Sequence, residues 1–126
     1  MDSITIDLPH PPAALKPNSR PHWRAKARAT RAYRNATLAT ALSVSRIGSK
    51  WPSASVRIIA TYRDSRRRDR DNILASLKAA FDGLADAGIV ADDADFTYEP
   101  VEIRKGKDVG IRLVITKAKG ATSGEA

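Results

Sequence analysis

The spacing of apolar and polar residues predicts a strand, a stiff loop and a long helix in the first part of the chain. Ile4, Ile6 and Leu8 alternate with polar residues, which predicts a half-buried strand over 3–8. Five prolines over 9–21 exclude a helix there and favour an extended loop. Residues 23–47 contain neither Pro nor Gly, and the pattern predicts a helix that Gly48 and Pro52 bring to an end.

The second part of the chain predicts a strand, a helix and two further strands. Residues 55–63 alternate, with Val56, Ile58 and Ala60 on one side of a strand. A helix is predicted over 71–87, closed by Gly88, and its apolar face consists of Ile73, Leu74, Leu77, Ala80, Phe81 and Leu84. Residues 96–104 and 109–117 are then expected to form a strand pair around 105–107.

This element order, β-α-β-α-β-β, predicts an α/β (α+β) fold with helices packed on a small mixed sheet. The chain has 126 residues, which is the usual size of a single domain. We assign residues 1–117 to that domain. The remainder, 118–126, is small and polar and is expected to be a disordered tail.

Composition excludes several classes of protein. The absence of cysteine excludes a disulfide framework and a thiolate zinc site. No apolar run approaches the roughly eighteen residues of a membrane span. The segment MDSITIDLP lacks the basic region of a signal peptide. We therefore expect a cytoplasmic location, in a bacterium or a bacterial host, without a membrane partner.

The charge distribution favours a polyanionic partner. The formal net charge is +8 and the pI is about 10.2. Residues 9–68 contain fourteen Lys and Arg and one acid, Asp64, whereas 69–108 contain ten acids and five basic residues. A uniformly basic protein would not have an acidic cluster directly after a basic half, although the basic residues could also serve solubility alone.

The most informative feature is a pair of carboxylates embedded in arginine. Asp69 and Asp71 point to the same side if the chain is extended there, and Asp92-Asp93 follows about twenty residues later. Two unit charges about 4 Å apart repel by roughly 4 kcal/mol at an effective dielectric of 20, and a bound divalent cation relieves that repulsion. Together with the basic run 66–68, these acids predict a metal-dependent enzyme that acts on nucleic acid.

On a continuous helix Asp71, Lys78 and Asp82 share one polar face. Structural interpretations remain open for each acid. Asp71 or Asn72 could be a helix N-cap, Asp82 is the i+4 partner of Lys78, and Asp92-Asp93 could form a turn. The two histidines, His10 and His22, are expected to be loop residues.

The motifs together resemble the RusA family of Holliday-junction resolvases, in particular its bacteriophage and prophage branch. The resemblance is carried by Arg66-Arg67-Arg68-Asp69-Arg70-Asp71-Asn72, Lys78-Ala79-Ala80-Phe81-Asp82-Gly83-Leu84, Ala87-Gly88 and Asp92-Asp93. The opening Ile6-Asp7-Leu8-Pro9 and the run from Pro17 to Arg24 are also similar to that branch. The resemblance extends to about Lys117.

The resemblance implies a homodimeric endonuclease that depends on Mg²⁺, with Mn²⁺ as a substitute, and cuts four-way DNA junctions. It implies that Asp69, Asp71 and Asp93 are catalytic metal ligands. The family lysine lies four residues after the second Asp, where this chain has Ala75. The role is therefore carried over to Lys78, as if three residues were inserted. The expected DNA-binding residues are Arg24, Lys26, Arg28, Arg31, Arg66, Arg67, Arg68 and Arg70.

Two other functions are compatible with the same residues. One is a non-catalytic DNA-binding or regulatory protein, whose acids only balance charge. The carboxylate set argues against it, because acids beside a phosphate-binding surface repel DNA. The other is a general nuclease for branched DNA without the paired, symmetric cuts of a resolvase, which the sequence does not distinguish from resolution.

Overall fold

The computed structural model describes residues 2–44 and 51–118. Its helices are α1 (Trp23–Val44), α2 (Arg70–Ser76) and α3 (Lys78–Asp86). Its strands are β1 (Ser3–Leu8), β2 (Ala54–Tyr62), β3 (Phe96–Tyr98), β4 (Glu102–Lys105) and β5 (Gly110–Lys117). Short 3-10 turns occupy Ala13–Leu15 and Asp93–Asp95. The predicted α/β (α+β) class with a mixed sheet is confirmed.

The five strands form one sheet in the order β1-β5-β2, with β3 and β4 following one another along the far side of β2. β5 is antiparallel to both of its neighbours, whereas β3 and β4 are parallel to β2. A parallel neighbour requires a long crossover, and α2 and α3 form the crossover from β2 to β3. The whole connection, residues 63–95, contains all four predicted catalytic residues, Asp69, Asp71, Lys78 and Asp93.

The core lies between one face of the sheet and the three helices. Alternate residues of β1, β2 and β5 are buried, including Val56 and Ile58 at 0% exposure, as the period of two predicts. The helices contribute Tyr33, Leu77, Phe81 and Leu84 to the same cluster. The predicted inward faces of β2 and of the 71–87 segment are therefore confirmed, with Leu74 partly buried rather than fully enclosed.

The helix predicted over 71–87 is wrong in one respect, because it is two helices. α2 ends at Ser76 and α3 begins at Lys78, with Leu77 between them at φ −98° and ψ 5°. These angles are outside the helical range. The Leu77 side chain is nonetheless fully buried. Periodicity did not reveal the break because the apolar residues on both sides keep helical spacing.

Three predictions about the loops and the last strands are also wrong. The segment 96–104 is two strands, because Pro100 lies between β3 and β4 and has no N–H to donate to the ladder. β4 does not pair with β5, since both pair with β2 on its opposite sides. The proline-rich loop contains one helical turn, Ala13–Leu15, between Pro12 and Pro17.

Some predictions fall outside the described residues. These are the last turn of the first helix over 45–47, its termination at Gly48, and the tail beyond residue 118. Within the described part of the chain, no helix combines the length and the apolarity needed to cross a membrane.

Candidate functional site

Asp69 begins α2 as its N-cap. Its Oδ1 accepts hydrogen bonds from the backbone N–H groups of Asp71 (2.8 Å) and Asn72 (3.1 Å). Such a cap satisfies two of the donors that a helix leaves unpaired at its first turn. The sequence had suggested Asp71 or Asn72 as the cap. The structure shows that the cap is Asp69. The Asp71 side chain lies exposed in the first turn of α2, one residue inside the helix.

Lys78, at the start of α3, joins two acids from different parts of the chain. Its Nζ donates to Asp82 Oδ1 at 3.0 Å and to Asp93 Oδ2 at 2.5 Å. The hydrogen bond to Asp93, followed by that to Asp82, raises the pKa of the Lys78 ammonium. The same bond lowers the pKa of the Asp93 carboxyl. The predicted i+4 pair with Asp82 is confirmed, and the pair with Asp93 is an additional contact.

A short turn and an aromatic pair position Asp93. Asp92 caps the Asp93–Asp95 turn by accepting the N–H of Ala94 at 2.9 Å, which confirms the turn interpretation for this acidic pair. Tyr98 follows in β3 and packs on Phe81 of α3, with ring centroids 4.5 Å apart. Burial, together with the charge of Asp93, raises the pKa of the Tyr98 hydroxyl to about 12.

The predicted catalytic residues thus form two groups, Asp69 with Asp71 and Lys78 with Asp93. One member of each group, Asp69 and Lys78, lines one of two adjacent cavities, which share Lys16, Pro17 and Ser76. Among residues 2–44 and 51–118, no three His, Asp or Glu side chains are placed to hold a metal ion. The convergence of the three carboxylates stays a prediction.

The donor chemistry nevertheless fits Mg²⁺, which prefers carboxylate oxygens and retains several waters. Asp69 uses only its Oδ1 in the helix cap, and Asp71 is exposed at the same helix end. Asp93 Oδ2 is held by an ammonium group, so that carboxylate already lies beside a positive charge in this structure.

The loop before Asp69 is held by a stack of three side chains. Tyr62, the last residue of β2, has the His10 ring on it at 4.4 Å and the Arg68 guanidinium over its ring at 3.6 Å from the centroid. Arg68 also donates to Asp64 Oδ1 at 2.9 Å and to the Arg66 carbonyl oxygen at 2.9 Å. This stack fixes the chain immediately before the helix cap.

The predicted DNA-binding residues differ in how free their side chains are. All four on α1 are exposed, as are two in the loop: Arg24, Lys26, Arg28, Arg31, Arg66 and Arg67. Arg68 is occupied by the stack, and its side chain is only 21% exposed. The Arg70 guanidinium donates to the Val101 carbonyl oxygen at 2.9 Å. Arg68 and Arg70 therefore already make contacts within the protein. Their DNA-binding role stays a prediction.

Four residues near the site were not selected from the sequence: Lys16, His10, Tyr62 and Tyr98. Lys16 lines the same cavity as Lys78 and Asp82, and the His10 Nε2 is 2.8 Å from the Thr61 carbonyl oxygen. The histidine was correctly placed in a loop, but its ring packs instead of lying free. The acidic and basic motifs gave no signal for these residues, because each reaches the site only through tertiary contacts.

The fold and site define a small basic α/β protein with acids and a lysine along adjoining cavities. No family model matches the chain. The chain is 34% identical, over 127 residues, to proteins named crossover junction endodeoxyribonuclease RusA from Shigella sonnei and from Escherichia coli K12. The matches cover 93% of this chain and 97% of each relative. The chain belongs to the RusA family.

Proposed function

We propose that this protein is a structure-selective endodeoxyribonuclease that resolves four-way DNA junctions during DNA recombination and repair. The reaction is hydrolysis of a phosphodiester bond in each of two strands, and it depends on Mg²⁺, with Mn²⁺ as a substitute. RusA family membership supports the substrate class, since the curated relatives carry the name crossover junction endodeoxyribonuclease.

One observation carries the proposal more than any other. The cavity beside α3 is lined by three lysines, Lys16, Lys26 and Lys78, together with the carboxylate of Asp82. Lysine ammonium groups bind phosphate as point charges, whereas an acid at the same place repels it. The combination suits an enzyme that must bind a phosphodiester and also act on it, and it does not suit a protein that only binds DNA.

Each group has a chemical task in this proposal. Asp69, Asp71 and Asp93 would hold Mg²⁺, which when bound supplies a polarised water and neutralises negative charge on the phosphate. The Lys78 ammonium lies between Asp82 and Asp93, and it stabilises the negative charge that develops on the transferring phosphate. Arg66, Arg67 and the exposed basic residues of α1 hold neighbouring phosphates, which gives affinity but no base readout.

The proposal includes a homodimer. Each chain carries one candidate site, and resolution of a junction requires two cuts in strands related by twofold symmetry. A symmetric dimer supplies two such sites in the matching arrangement.

The test uses a synthetic four-way junction, a three-way fork and a linear duplex of the same arm sequences. Each is incubated with and without Mg²⁺ or Mn²⁺ and is resolved on denaturing gels. We expect metal-dependent cuts at symmetric positions in two strands of the junction, and little cutting of the duplex. Unpaired cuts in both junction and fork would indicate a general branched-DNA nuclease. Tight binding with no cut in either metal would indicate a non-catalytic DNA-binding protein.

A charge-matched pair of variants tests the site. Asp71→Asn should abolish cleavage and leave junction affinity unchanged or higher, because one repulsive charge is removed. Asp108→Asn makes the same charge change at an exposed residue in the β4–β5 connection, and it should cleave at the normal rate. Normal cleavage by Asp71→Asn would remove that residue from the proposed metal site.

A further inference from the structure

One stripe of α1 changes from buried to exposed along the helix. Its members recur every three or four residues, and they are Trp23, Lys26, Thr30, Tyr33, Thr37 and Ala41. The last three are buried against the core. At the other end of the same stripe Trp23 is 68% exposed. A large aromatic ring therefore occupies a core-facing position of the helix, where its described ring contacts are the stacked His22 ring, at 5.7 Å, and the Arg24 guanidinium.

The surface below this end of α1 is continuous with the candidate active site. The cavity beside Trp23 shares Lys26 and Thr30 with the cavity that contains Lys78 and Asp82. That cavity in turn shares Lys16, Pro17 and Ser76 with the cavity beside Asp69. The three depressions form one groove, hereafter the Trp23 groove, which leads from Asp69 past Lys78 to Trp23.

The groove combines the two features that bind a single DNA strand. Its walls carry Lys16, Lys26 and Arg31 along the way, and these cations suit the phosphates of a backbone. Its end carries an indole ring, flanked by the Arg24 guanidinium 5.1 Å from its centroid. Aromatic side chains that follow a basic groove are the usual platform on which unpaired bases stack.

We propose that Trp23 stacks on an unpaired base of the DNA strand whose phosphates follow the Trp23 groove. This inference rests on the proposed function, because the groove is taken to hold the strand that is cut. The base pairs at a branch point stack on fewer neighbours than those inside an intact duplex, so a base leaves its pair there at a lower cost in free energy. Trp23 therefore contributes to the preference for branched over linear DNA.

The helix geometry gives the position of that base. Thr30 borders both cavities, and Trp23 lies seven residues before it, which is roughly 10 Å along α1 at 1.5 Å per residue. A stacked strand advances about 3.4 Å per nucleotide. The base on Trp23 is therefore about three nucleotides from a phosphate bound where the two cavities meet at Thr30.

Tryptophan fluorescence measures the contact directly. The chain has two tryptophans, and Trp51→Phe leaves Trp23 as the only one. With Asp71→Asn added to prevent cleavage, this protein is titrated with the four-way junction and with the linear duplex. We expect the junction to quench the indole emission by at least half and the duplex to quench it little. Abasic residues are then introduced one at a time in the strand near the cut, and one of these positions should abolish the quenching.

Affinity measurements with variants complete the test. Trp23→Ala should weaken junction binding roughly tenfold or more and leave duplex binding unchanged, whereas Trp23→Phe should retain most of the affinity. Leu42→Ala is the matched control, since Leu42 is an exposed apolar residue (51%) near the opposite end of α1. It should change neither affinity.

Several results would overturn the inference. Unchanged Trp23 emission while the junction binds would do so, as would an equal loss of junction and duplex affinity in Trp23→Ala. Dissociation of a dimer by Trp23→Ala in the absence of DNA would show that a second copy of the chain covers the ring. The stacking proposal and the proposed function can fail separately. Quenching without any cleavage by the wild-type protein contradicts only the nuclease assignment. Normal junction cleavage without quenching contradicts only the stacking.

Discussion

The Lys78 ammonium lies 2.5 Å from Oδ2 of Asp93, and this contact joins the start of α3 to the turn that precedes β3. The two residues are fifteen positions apart. Because Asp82 accepts from the same ammonium at 3.0 Å, the charged end of the lysine is held on two sides. The contact places a cation next to the acid that the family resemblance identifies as a metal ligand.

Lys78→Ala should reduce cleavage by on the order of 100-fold or more, as for the loss of a preorganised charge near a transition state. The side chain is 66% exposed, so the thermal midpoint should fall only slightly. The measurement is the single-turnover rate with enzyme in excess over the junction, with the thermal midpoint and the junction affinity measured alongside.

Two further variants define the role of the lysine. Lys78→Arg should restore part of the rate, since it keeps the positive charge, and Asp82→Asn should cost much less than Lys78→Ala, since the contact with Asp93 remains. If Lys78→Ala cleaves normally but loses thermal stability, the lysine is only an ion-pair partner. The catalytic cation must then be sought in the run 66–70.

Most of the fold could be predicted from the sequence because its elements are strongly patterned. The alternation in β1 and β2 and the apolar face of 71–87 determine which residues are buried, and the structure confirms these faces. The break at Leu77 was not predictable from periodicity, since the residues on both sides keep the same spacing. The pairing of β4 and β5 with β2, instead of with each other, depends on long-range contacts that no local pattern specifies.

The site was predicted less completely for a similar reason. The motif identified the acids and Lys78, but the continuous helical wheel placed Lys78 near Asp71, whereas the structure places it on Asp93. The stack of His10, Tyr62 and Arg68 joins residues from three separate segments. A run of arginines by itself does not show which of them faces the solvent and which packs against the protein.

Arg67 and Arg68 should therefore respond differently to substitution. Arg67 is exposed, so Arg67→Ala should reduce the slope of log junction affinity against log salt by up to about 0.9, which corresponds to one phosphate contact. Arg68→Ala should leave that slope nearly unchanged. It should instead lower the thermal midpoint and slow cleavage, because the loop before Asp69 loses its stack on Tyr62.

Salt titrations of junction affinity with both variants and the wild-type protein provide the measurement. An overall slope equivalent to only one or two phosphate contacts would show that the basic residues serve solubility. An equal loss of slope in both variants would show that Arg68 leaves Tyr62 and contacts phosphate in the complex.

Gly83 allows α1 and α3 to approach closely. A Cβ at this position would lie 2.5 Å from the Arg34 carbonyl oxygen and 2.9 Å from the Thr37 Cβ. Gly83→Ala should therefore lower the free energy of unfolding by roughly 1–3 kcal/mol, as overpacking does. The better helix propensity of alanine, about 1 kcal/mol, offsets only part of this cost.

Denaturant unfolding at neutral pH measures the effect of Gly83→Ala. Gly106→Ala is the control, because its Cβ would meet only the Thr61 side chain, at 3.3 Å, and a methyl group can shift. The control should stay within about 0.5 kcal/mol of the wild-type protein. Equal stability of the two variants would show that the two helices can separate without cost.

The ion pair between Arg34 and Asp86 links α1 to the end of α3, and it should make stability depend on pH. Arg34 Nε and Nη2 donate to the two carboxylate oxygens at 2.6 and 2.8 Å. These bonds lower the pKa of Asp86 from its usual value of 3.8. A carboxyl with a lower pKa in the folded state takes up a proton more readily when unfolded, so acid favours unfolding.

The contribution of this pair is complete at neutral pH and is lost as the pH falls from about 4 through the folded pKa. Asp86→Asn should therefore lower the thermal midpoint by roughly 1–4 °C at pH 7, and the difference from wild type should shrink towards zero near pH 3. The other acids of lowered pKa, Asp7, Asp64, Asp93 and Glu102, titrate in both proteins, so the difference isolates Asp86. Asp108→Asn serves as the charge-matched control, and its midpoint should follow that of the wild-type protein at every pH. A difference between Asp86→Asn and wild type that stays constant from pH 7 to pH 3 would show that Asp86 stabilises the helices by packing alone.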